Sequence, residues 1–326
     1  MPTPRGSTTW NAAVDSQTFM SEFSKLGARK LSEKYGMSQR AVYSRRRRIE
    51  ETRGAVVAAP TKGGHVQNLD QHPAAINLSV RNGTVLIGSD AHFWPGIHSS
   101  AFRAFVRFCQ RSNPVAVILN GDAYDGARVS RWPDGSWTDM SHKPSVIQEL
   151  EATKDGLSEI EKAAPKARHL LPLGNHDARF EMRLIQQVPE YAEVHGTKLK
   201  HHLPEWEPCW AVLINKDVVV KHRFKSGIHA PHNNAMWAGR TVVTGHLHSL
   251  KVNPLSDYNG TRWGVDCGTL ADPYGPQFYN YTELNPLNWR AGFAVLTFKD
   301  GKLLWPETVW ASGPDEVQWR GEIIRV

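Results

Sequence analysis

Cysteine is scarce in this chain: three residues, Cys109, Cys209 and Cys267, in 326. An odd, widely spaced set argues against a disulfide framework and for buried thiols in a reducing, intracellular compartment. Long apolar runs are missing as well. No stretch approaches the roughly 18 residues that a membrane span needs. The opening MPTPRGSTTWNAAVDSQ lacks the apolar core of a secretory leader. These absences point to a cytoplasmic location and exclude a membrane partner. Hydrophobic residues at 40% and charged residues at 22% describe an ordinary globular chain, long enough for one large domain or two smaller ones.

Acidic residues are short in one place only. Residues 1–60 hold 11 Lys/Arg against 5 Asp/Glu, whereas residues 61–326 hold 28 against 27. Nearly all of the net charge of +7 therefore belongs to the first fifth of the chain, which marks that segment as the one with a polyanion partner.

Three regions follow: a basic helical module at 1–53, a linker at 54–80 rich in Gly, Pro, Ala and Asn, and a domain at 81–326. In the last, β-branched runs such as TVLIGSD (84–90), VAVILNGD (115–122), ARHLLPLGN (167–175), VVVKH (218–222), TVVTGH (241–246) and AGFAVLTF (291–298) alternate with helical spacing at 99–111 and 145–163. Strand–helix–strand order at the front and hairpin-like strands at the back predict a layered α/β domain with mixed sheets.

In the basic module Asp15 is placed to cap a helix carrying Phe19, Phe23 and Leu26. A second helix runs from Ala28 to Tyr35 and stops at Gly36. Ser38 caps a third, with Val42 and Ile49 inward and Gln39, Arg40 and Tyr43 outward. Helix, glycine turn, then a helix with polar and basic first turns is the layout of a helix-turn-helix, and the segment resembles the small modules of phage and bacterial DNA-binding proteins. DNA is thus the expected partner of residues 15–51. Arg45, Arg46, Arg47 and Arg48 would lie against phosphates, and a dimer would suit so small a module. A solvated basic face is the bland alternative.

Five short polar motifs carry the chemistry of the second domain, each where a strand ends. They are Asp90-Ala91-His92, Gly121-Asp122-Ala123-Tyr124-Asp125, Gly174-Asn175-His176-Asp177, His222, and Gly245-His246-Leu247-His248. Carboxylate, amide and imidazole donors suit Mn²⁺, Fe, Zn²⁺ or Ni²⁺. Spacing of the Asp-x-His kind puts alternate side chains on one side of an extended segment. Two such ions about 3.5–4 Å apart can activate a bridging hydroxide and clamp a phosphate.

In this order the motifs resemble the calcineurin-like metallophosphoesterases, over residues 80 to 300. The resemblance implies a four-layer α/β/β/α sandwich with mixed sheets. It implies two divalent metal ions, Mn²⁺ foremost: one on Asp90, His92, Asp122 and His248, the other on Asp122, Asn175, His222 and His246. It also implies that His176 serves the leaving oxygen and that Asp125 orients His176. Where many phosphoprotein phosphatases have an arginine after the second aspartate of the Gly-Asp motif, this chain has Gly126. Arg128 and Arg179 are then the candidates for phosphate contact. The block 263–298 looks like the end of phage and prokaryotic members, so a phage-encoded protein acting in a host cytoplasm would fit.

Other residues are read more plainly. Asp177 caps the helix that follows it. Trp94, Trp132, Trp137 and Trp237 are read as buried in the core or under a loop rather than as base-stacking platforms. His98, His142, His201, His202, His229 and His232 are surface or outlying groups, with His229 and His232 best placed for the cleft.

The expectation for function is a two-metal phosphodiesterase or nuclease brought to DNA by its N-terminal module. The alternatives are a phosphomonoesterase or small-molecule phosphodiesterase and, in another class, a DNA-binding regulator that uses the domain as scaffold. The double-strand-break repair nucleases share the metal motifs but carry a capping domain for which little chain remains after residue 310.

Overall fold

The computed structural model describes residues 14–53, 57, 72–130, 143–191, 194–278 and 287–326. Trp132, Trp137, His142 and most of the expected linker lie outside them. The chain forms two compact units, 1–67 and 68–326.

The first unit is helical. Helix α1 (Ser16–Tyr35) starts at Asp15, whose carboxylate accepts the backbone N–H groups of Gln17 and Thr18 at 2.7 and 2.9 Å. It breaks at Gly27 (φ 73°, ψ 171°), so it is two helical segments in sequence. Gly36 closes it in the left-handed conformation, and Ser38 Oγ accepts the Ala41 N–H at the start of α2 (Gln39–Arg53). Phe19, Phe23, Ala28, Leu31, Val42 and Ile49 meet in a small core with Val14 and Val57. No helix among the described residues is long and apolar enough to cross a membrane.

The second unit is a mixed α/β structure built on two mixed sheets. Its strands are β1 (Ile76–Leu78), β2 (Gly83–Gly88), β3 (Ala116–Leu119), β4 (Arg168–Pro172), β5 (Glu207–Cys209), β6 (Val212–Ile214), β7 (Val218–Val220) and β8 (Thr241–Thr244). They continue with β9 (Lys251–Asp257), β10 (Gly260–Asp266), β11 (Gly292–Lys299), β12 (Lys302–Leu303), β13 (Glu307–Gly313), β14 (Glu316–Trp319) and β15 (Glu322–Arg325). One sheet runs β1-β6-β7-β8-β10-β9. The other runs β15-β14-β13-β11-β2-β3-β4-β5, with β12 beside β11. Within them β2, β3, β4 and β5 are mutually parallel, as are β7, β8 and β10.

The pleat explains why these strands read as unbroken apolar runs. Val85, Ile87, Ile118 and Leu296 face Val212, Val218, Val243 and Val265 of the other sheet. Leu86, Val117, Leu119 and Leu171 face the other way, toward α3 (Ser100–Ser112) and α4 (Val146–Ala163). Each such side chain is worth about 1.5–3 kcal/mol on burial. Phe105 and Phe108 of α3 meet Phe293 edge-on at 5.1 Å. Helix α5 (Asp177–Gln187) follows β4, and α6 (Ala230–Ala238) packs on β8, β9 and β10. The result is the α/β/β/α layering expected.

One expectation needs correction. Ile76–Leu78, inside the stretch read as linker, forms β1 and pairs with β6 in parallel. Three residues are too few for a periodicity, and only the distant partner makes them a strand. Residues 302–325 add four short antiparallel strands whose half-exposed faces leave no long apolar run to announce them.

Beneath the loop after β3, Glu149 of α4 accepts the Ala127 N–H at 2.9 Å and the Tyr124 hydroxyl at 3.3 Å. Burial pushes its pKa up to about 7 from 4.5, reinforced by the charge of Asp125. The fold thus favours the neutral acid, so its contribution is full below pH 4.5 and is lost as pH rises through 7. Glu149→Gln removes the charge, while its oxygen can still accept the Ala127 N–H and its NH₂ can donate to the Tyr124 oxygen. With metal chelated, the variant should gain on the wild type by about 2 kcal/mol between pH 5 and pH 8 in thermal or urea unfolding. Parallel curves would refute this account.

Candidate metal centre

All five motifs lie at strand ends: Asp90 and His92 after β2, Asp122 and Asp125 after β3, Asn175 and His176 after β4, His222 after β7, His246 and His248 after β8. Three groups of candidate ligands form there. These are Asp90–His92–His248, Asp122–His222–His246, and His92–Asp125–His176, each with its donor atoms within 4.8 Å of one another.

The two central carboxylates are fully buried and built alike. Asp90 Oδ2 accepts the Ser89 hydroxyl at 2.5 Å and the His246 N–H at 2.8 Å. Its Oδ1 faces Nε2 of His248 at 3.0 Å and of His92 and His222 at 3.9 Å. Asp122 Oδ1 accepts the His176 N–H at 2.8 Å, and its Oδ2 faces His222 Nε2 at 3.0 Å and His176 Nε2 at 3.9 Å. Each carboxylate therefore has one oxygen anchored and one turned inward among imidazole nitrogens. Burial opposes both charges, yet the neighbouring histidines win. Asp90 drops to about 2 under His248 and His222, and Asp122 falls well below its usual range under His222 and His176.

The imidazoles are oriented from behind. His222 Nδ1–H donates to the Asn120 carbonyl at 2.8 Å, and His92 Nδ1 lies 2.6 Å from Asp125 Oδ1. That points Nε2 of both rings inward, the arrangement a metal-binding histidine needs. Nε2 of His222 faces Asp122 Oδ2 at 3.0 Å, while Nε2 of His92 and Oδ1 of Asn175 are buried without a hydrogen-bond partner. Buried polar atoms left so are costly. Their chemistry and spacing fit a pair of divalent cations bound by nitrogen and oxygen donors at about 2.0–2.2 Å.

The backbone is bent to make this possible. Asp90, His92, Asp122, His246 and His248 all have φ between 40° and 69°, a region that costs a side-chain-bearing residue of order 1 kcal/mol or more. Two motif glycines let the segments close up. A Cβ at Gly174 would fall on Asp122 Oδ1. One at Gly245 would fall on the Ser89 hydroxyl and come within 2.5 Å of Asp90 Oδ2.

His176 sits over the Asp122 side. Its Nδ1 lies 2.7 Å from the Asp125 carbonyl and 3.2 Å from the Asp125 carboxylate. Burial works against its charge, but Asp122 and Asp125 outweigh it and raise its pKa. Arg179 lies along the ring, 2.8 and 3.0 Å from Nδ1 and Nε2, and donates to the Asp125 carbonyl at 3.1 Å. Asp125 thus serves two rings, and its shorter bond goes to His92.

Other predicted residues lie elsewhere. Arg128 is exposed and donates to the carbonyls of Lys143 and Pro144. His98 sits 3.5 Å from Glu159; His201 stacks on His195; His202 lies 2.8 Å from the Gly196 carbonyl. His229 is exposed and His232 half-buried at the start of α6. Trp94 is half-buried, but Trp237 is 68% exposed on α6, contrary to the burial expected of it. In the helical unit Gln39, Arg40, Tyr43, Arg47 and Arg48 are exposed. Arg45 is held on the Val14 carbonyl and over the Phe19 ring. Arg46 is held by Glu50 at 2.9 Å and over Phe23.

Asp177 is not a helix cap. Helix α5 begins without a side-chain cap, and the Asp177 carboxylate instead accepts the N–H groups of Asp122, Gly174 and Tyr124 at 2.7, 2.9 and 3.0 Å. It sews the Gly-Asp loop to the Gly-Asn-His turn. Burial, with Asp122 nearby, pushes its pKa up to about 6 against the pull of those N–H groups. Three further supports escaped sequence reasoning. Ser89 and Asn120 hold Asp90 and His222, and Asp266 accepts the Ser249 and Gly268 N–H groups at 3.0 Å. The Asp at a strand end in WGVDCG carries the same signature as the Gly-Asp motif and could have flagged Asp266. Phe278 and Trp289 wall the centre, 4.9 Å from His92 and 4.4 Å from His248 between ring centroids.

No family model matches the chain, and no curated protein matches it. Solved structures resemble it at 14% sequence identity. Zinc-complexed Vps29 of Entamoeba histolytica covers 74% of this chain and 98% of its own, with a TM-score of 0.37. An archaeal phosphodiesterase covers 70% and 99% at 0.37, and YfcE, a phosphoesterase from E. coli, covers 68% and 97% at 0.30. Likenesses at this level carry no argument about chemistry, which rests on the side chains above.

Burial disfavours a charged His222, but Asp122 and Asp90 overcome it and lift its pKa to about 10. At pH 7 the ring is therefore protonated until a cation displaces the proton. Calorimetric Zn²⁺ titration in two buffers of different protonation enthalpy should show about one proton released at this group, a release absent in His222→Ala. Asp177→Asn removes one acceptor from the stitch and should weaken Zn²⁺ binding roughly 10- to 100-fold, read by competition with a chromogenic chelator. Unchanged affinity would make Asp177 structural only.

Proposed function

We propose that the second unit hydrolyses phosphoester bonds with two divalent metal ions, one on Asp90, His92, Asp122 and His248 and one on Asp122, Asn175, His222 and His246. The observation that carries this reading is the inward-facing set of carboxylate oxygens and imidazole nitrogens, anchored from behind and turned toward one another in a buried space. Mn²⁺ suits these hard and borderline donors, with Fe, Zn²⁺ and Ni²⁺ as neighbours in preference. When bound, such a pair offsets charge on the phosphoryl oxygens and lowers the pKa of a coordinated water.

The chain's own groups do the rest. Asp122, whose inward oxygen faces His222 and His176, would be shared by the two ligand sets. Burial works against the charge of His176, but Asp122 and Asp125 raise its pKa. With Nδ1 on the Asp125 carbonyl, the ring would turn Nε2 to the leaving oxygen and, in its protonated form, give that oxygen a proton. Arg179 is placed alongside His176 to meet a phosphoryl oxygen. Arg128, occupied by loop carbonyls, is not.

The finer reading is a phosphodiesterase that acts on nucleic acid, with the first unit as its DNA anchor. Its support is the exposed row of Gln39, Arg40, Tyr43, Arg47 and Arg48 on a helix entered through the Gly36 turn. Because Arg45 and Arg46 are committed to the unit's own packing, the phosphate contacts fall to Arg40, Arg47 and Arg48.

The protein loaded with Mn²⁺ should hydrolyse bis-p-nitrophenyl phosphate and cut DNA, and His176→Ala should lower kcat by about 10²–10⁴ while still binding metal. The triple change Arg40→Ala, Arg47→Ala, Arg48→Ala should weaken DNA cleavage and reduce its salt dependence. Turnover of p-nitrophenyl phosphate alone would make the protein a phosphomonoesterase. Two bound metals with no turnover would leave a scaffold.

A further inference from the structure

Residues 218–256 contain five Lys/Arg and no Asp or Glu, in a domain whose remainder holds 22 Lys/Arg against 26 Asp/Glu. This stretch begins with the strand that delivers His222 and ends beyond His248, so it borders the metal centre along the chain. His246 is the exposed member of the ligand set. Its ring lies 5.3 Å from that of His222 between centroids. The exposed ligand is thus a neighbour of His222, and the segment 223–229 begins directly after His222.

That segment carries exposed apolar groups that a solvated loop has no use for. Phe224 is 43% exposed, Ile228 71%, and Trp237 on the facing helix α6 68%. Cations are interleaved with the rings. Lys225 Nζ lies 4.4 Å from the centre of Trp237 and 5.8 Å from that of Phe224, and Lys221 Nζ lies 5.3 Å from Phe224. The surface is held in place. The buried Asn234 side chain accepts the Lys225 N–H at 2.9 Å, and Lys251 Nζ donates to the Ile228 carbonyl at 3.3 Å.

We propose that Phe224 and Trp237, with Lys221, Arg223 and Lys225, form a binding surface for single-stranded nucleic acid that leads into the metal centre. Exposed rings offer faces on which unpaired bases stack whatever their sequence, and the lysines between them meet the phosphates that link those bases. A duplex hides its base faces and gains only the charge term. An anionic lipid surface is the other partner that basic and aromatic groups attract. The cations here lie over the rings instead of ringing an apolar wedge, which favours stacked bases. The surface deepens the phosphodiesterase reading and rests on it for the fate of the bound strand.

The test uses the full chain with EDTA present, so that binding is read without cleavage, and with Arg40, Arg47 and Arg48 changed to Ala, so that the first unit does not dominate. Anisotropy of a fluorescein-labelled oligothymidylate of about twenty residues reports affinity, beside a duplex of equal length and phosphatidylserine vesicles. Trp237→Ala and Phe224→Ala should each lower single-strand affinity about tenfold. Trp237→Phe should retain most of it, and Lys225→Gln should reduce the salt slope by about one. A 5-iodouracil strand should cross-link to Trp237. Unchanged single-strand affinity in both alanine variants overturns the proposal, as does loss of vesicle binding with oligonucleotide binding kept. Failure of the wild type to hydrolyse any phosphoester is a separate result, against the catalytic reading alone.

Discussion

Asp90 and Asp122 are buried together, and two carboxylates in one low-dielectric space repel each other and resist ionisation. Both stay ionised because backbone N–H groups grip one oxygen of each and imidazoles crowd the other. Much of the second unit can be read as the means of supplying those partners. The N–H for Asp90 comes from His246, at the end of a strand in the opposite sheet. The N–H for Asp122 comes from His176, two strands away from Asp90 in the same sheet. The first grip does not exist until the two sheets are face to face, and the second waits on the pairing of β3 with β4.

The same dependence explains the strained backbone. Left-handed conformations at Asp90, His92, Asp122, His246 and His248 aim these side chains into one small volume, and glycine at 174 and 245 removes the methylenes that would keep the segments apart. The Asp177 stitch and the Ser89, Asn120 and Asp266 contacts hold the turns in shape. Positive charge is needed at the centre in any state. Protonated His222 supplies it in the absence of metal, and a cation does so when bound, so proton and metal exchange for one another.

Much of this was legible in the sequence because it is local. A β-branched run followed by a polar turn names both the strand and the residue at its end, so Asp90, His92, Asp122, His222, His246 and His248 could be placed without coordinates. The caps at Asp15 and Ser38 belong to the same class. What escaped depends on partners far along the chain. Ile76–Leu78 is a strand only because Val212–Ile214 lies beside it. Asp177 looks like a cap until the loop 55 residues upstream is seen to donate to it. Trp237 is apolar enough to suggest burial, yet α6 covers its sheet with Ala230, Pro231 and Ala235 and turns the indole outward. Arg45 and Arg46 read as part of a uniform basic run, and only the positions of Phe19 and Phe23 beneath them show that the run divides.

The three cysteines have a practical consequence. All are buried and free, and burial pushes the thiols of Cys109 and Cys209 up to about 12 and that of Cys267 well above its ordinary value. Thiolate is the reactive form, so native-state alkylation should pass them by. A cysteine placed at an exposed position of α2 or α6 would then be the one site that a maleimide dye or spin label finds, with no background substitutions. Distances between the helical unit and the metal-bearing unit could be measured in the otherwise native chain.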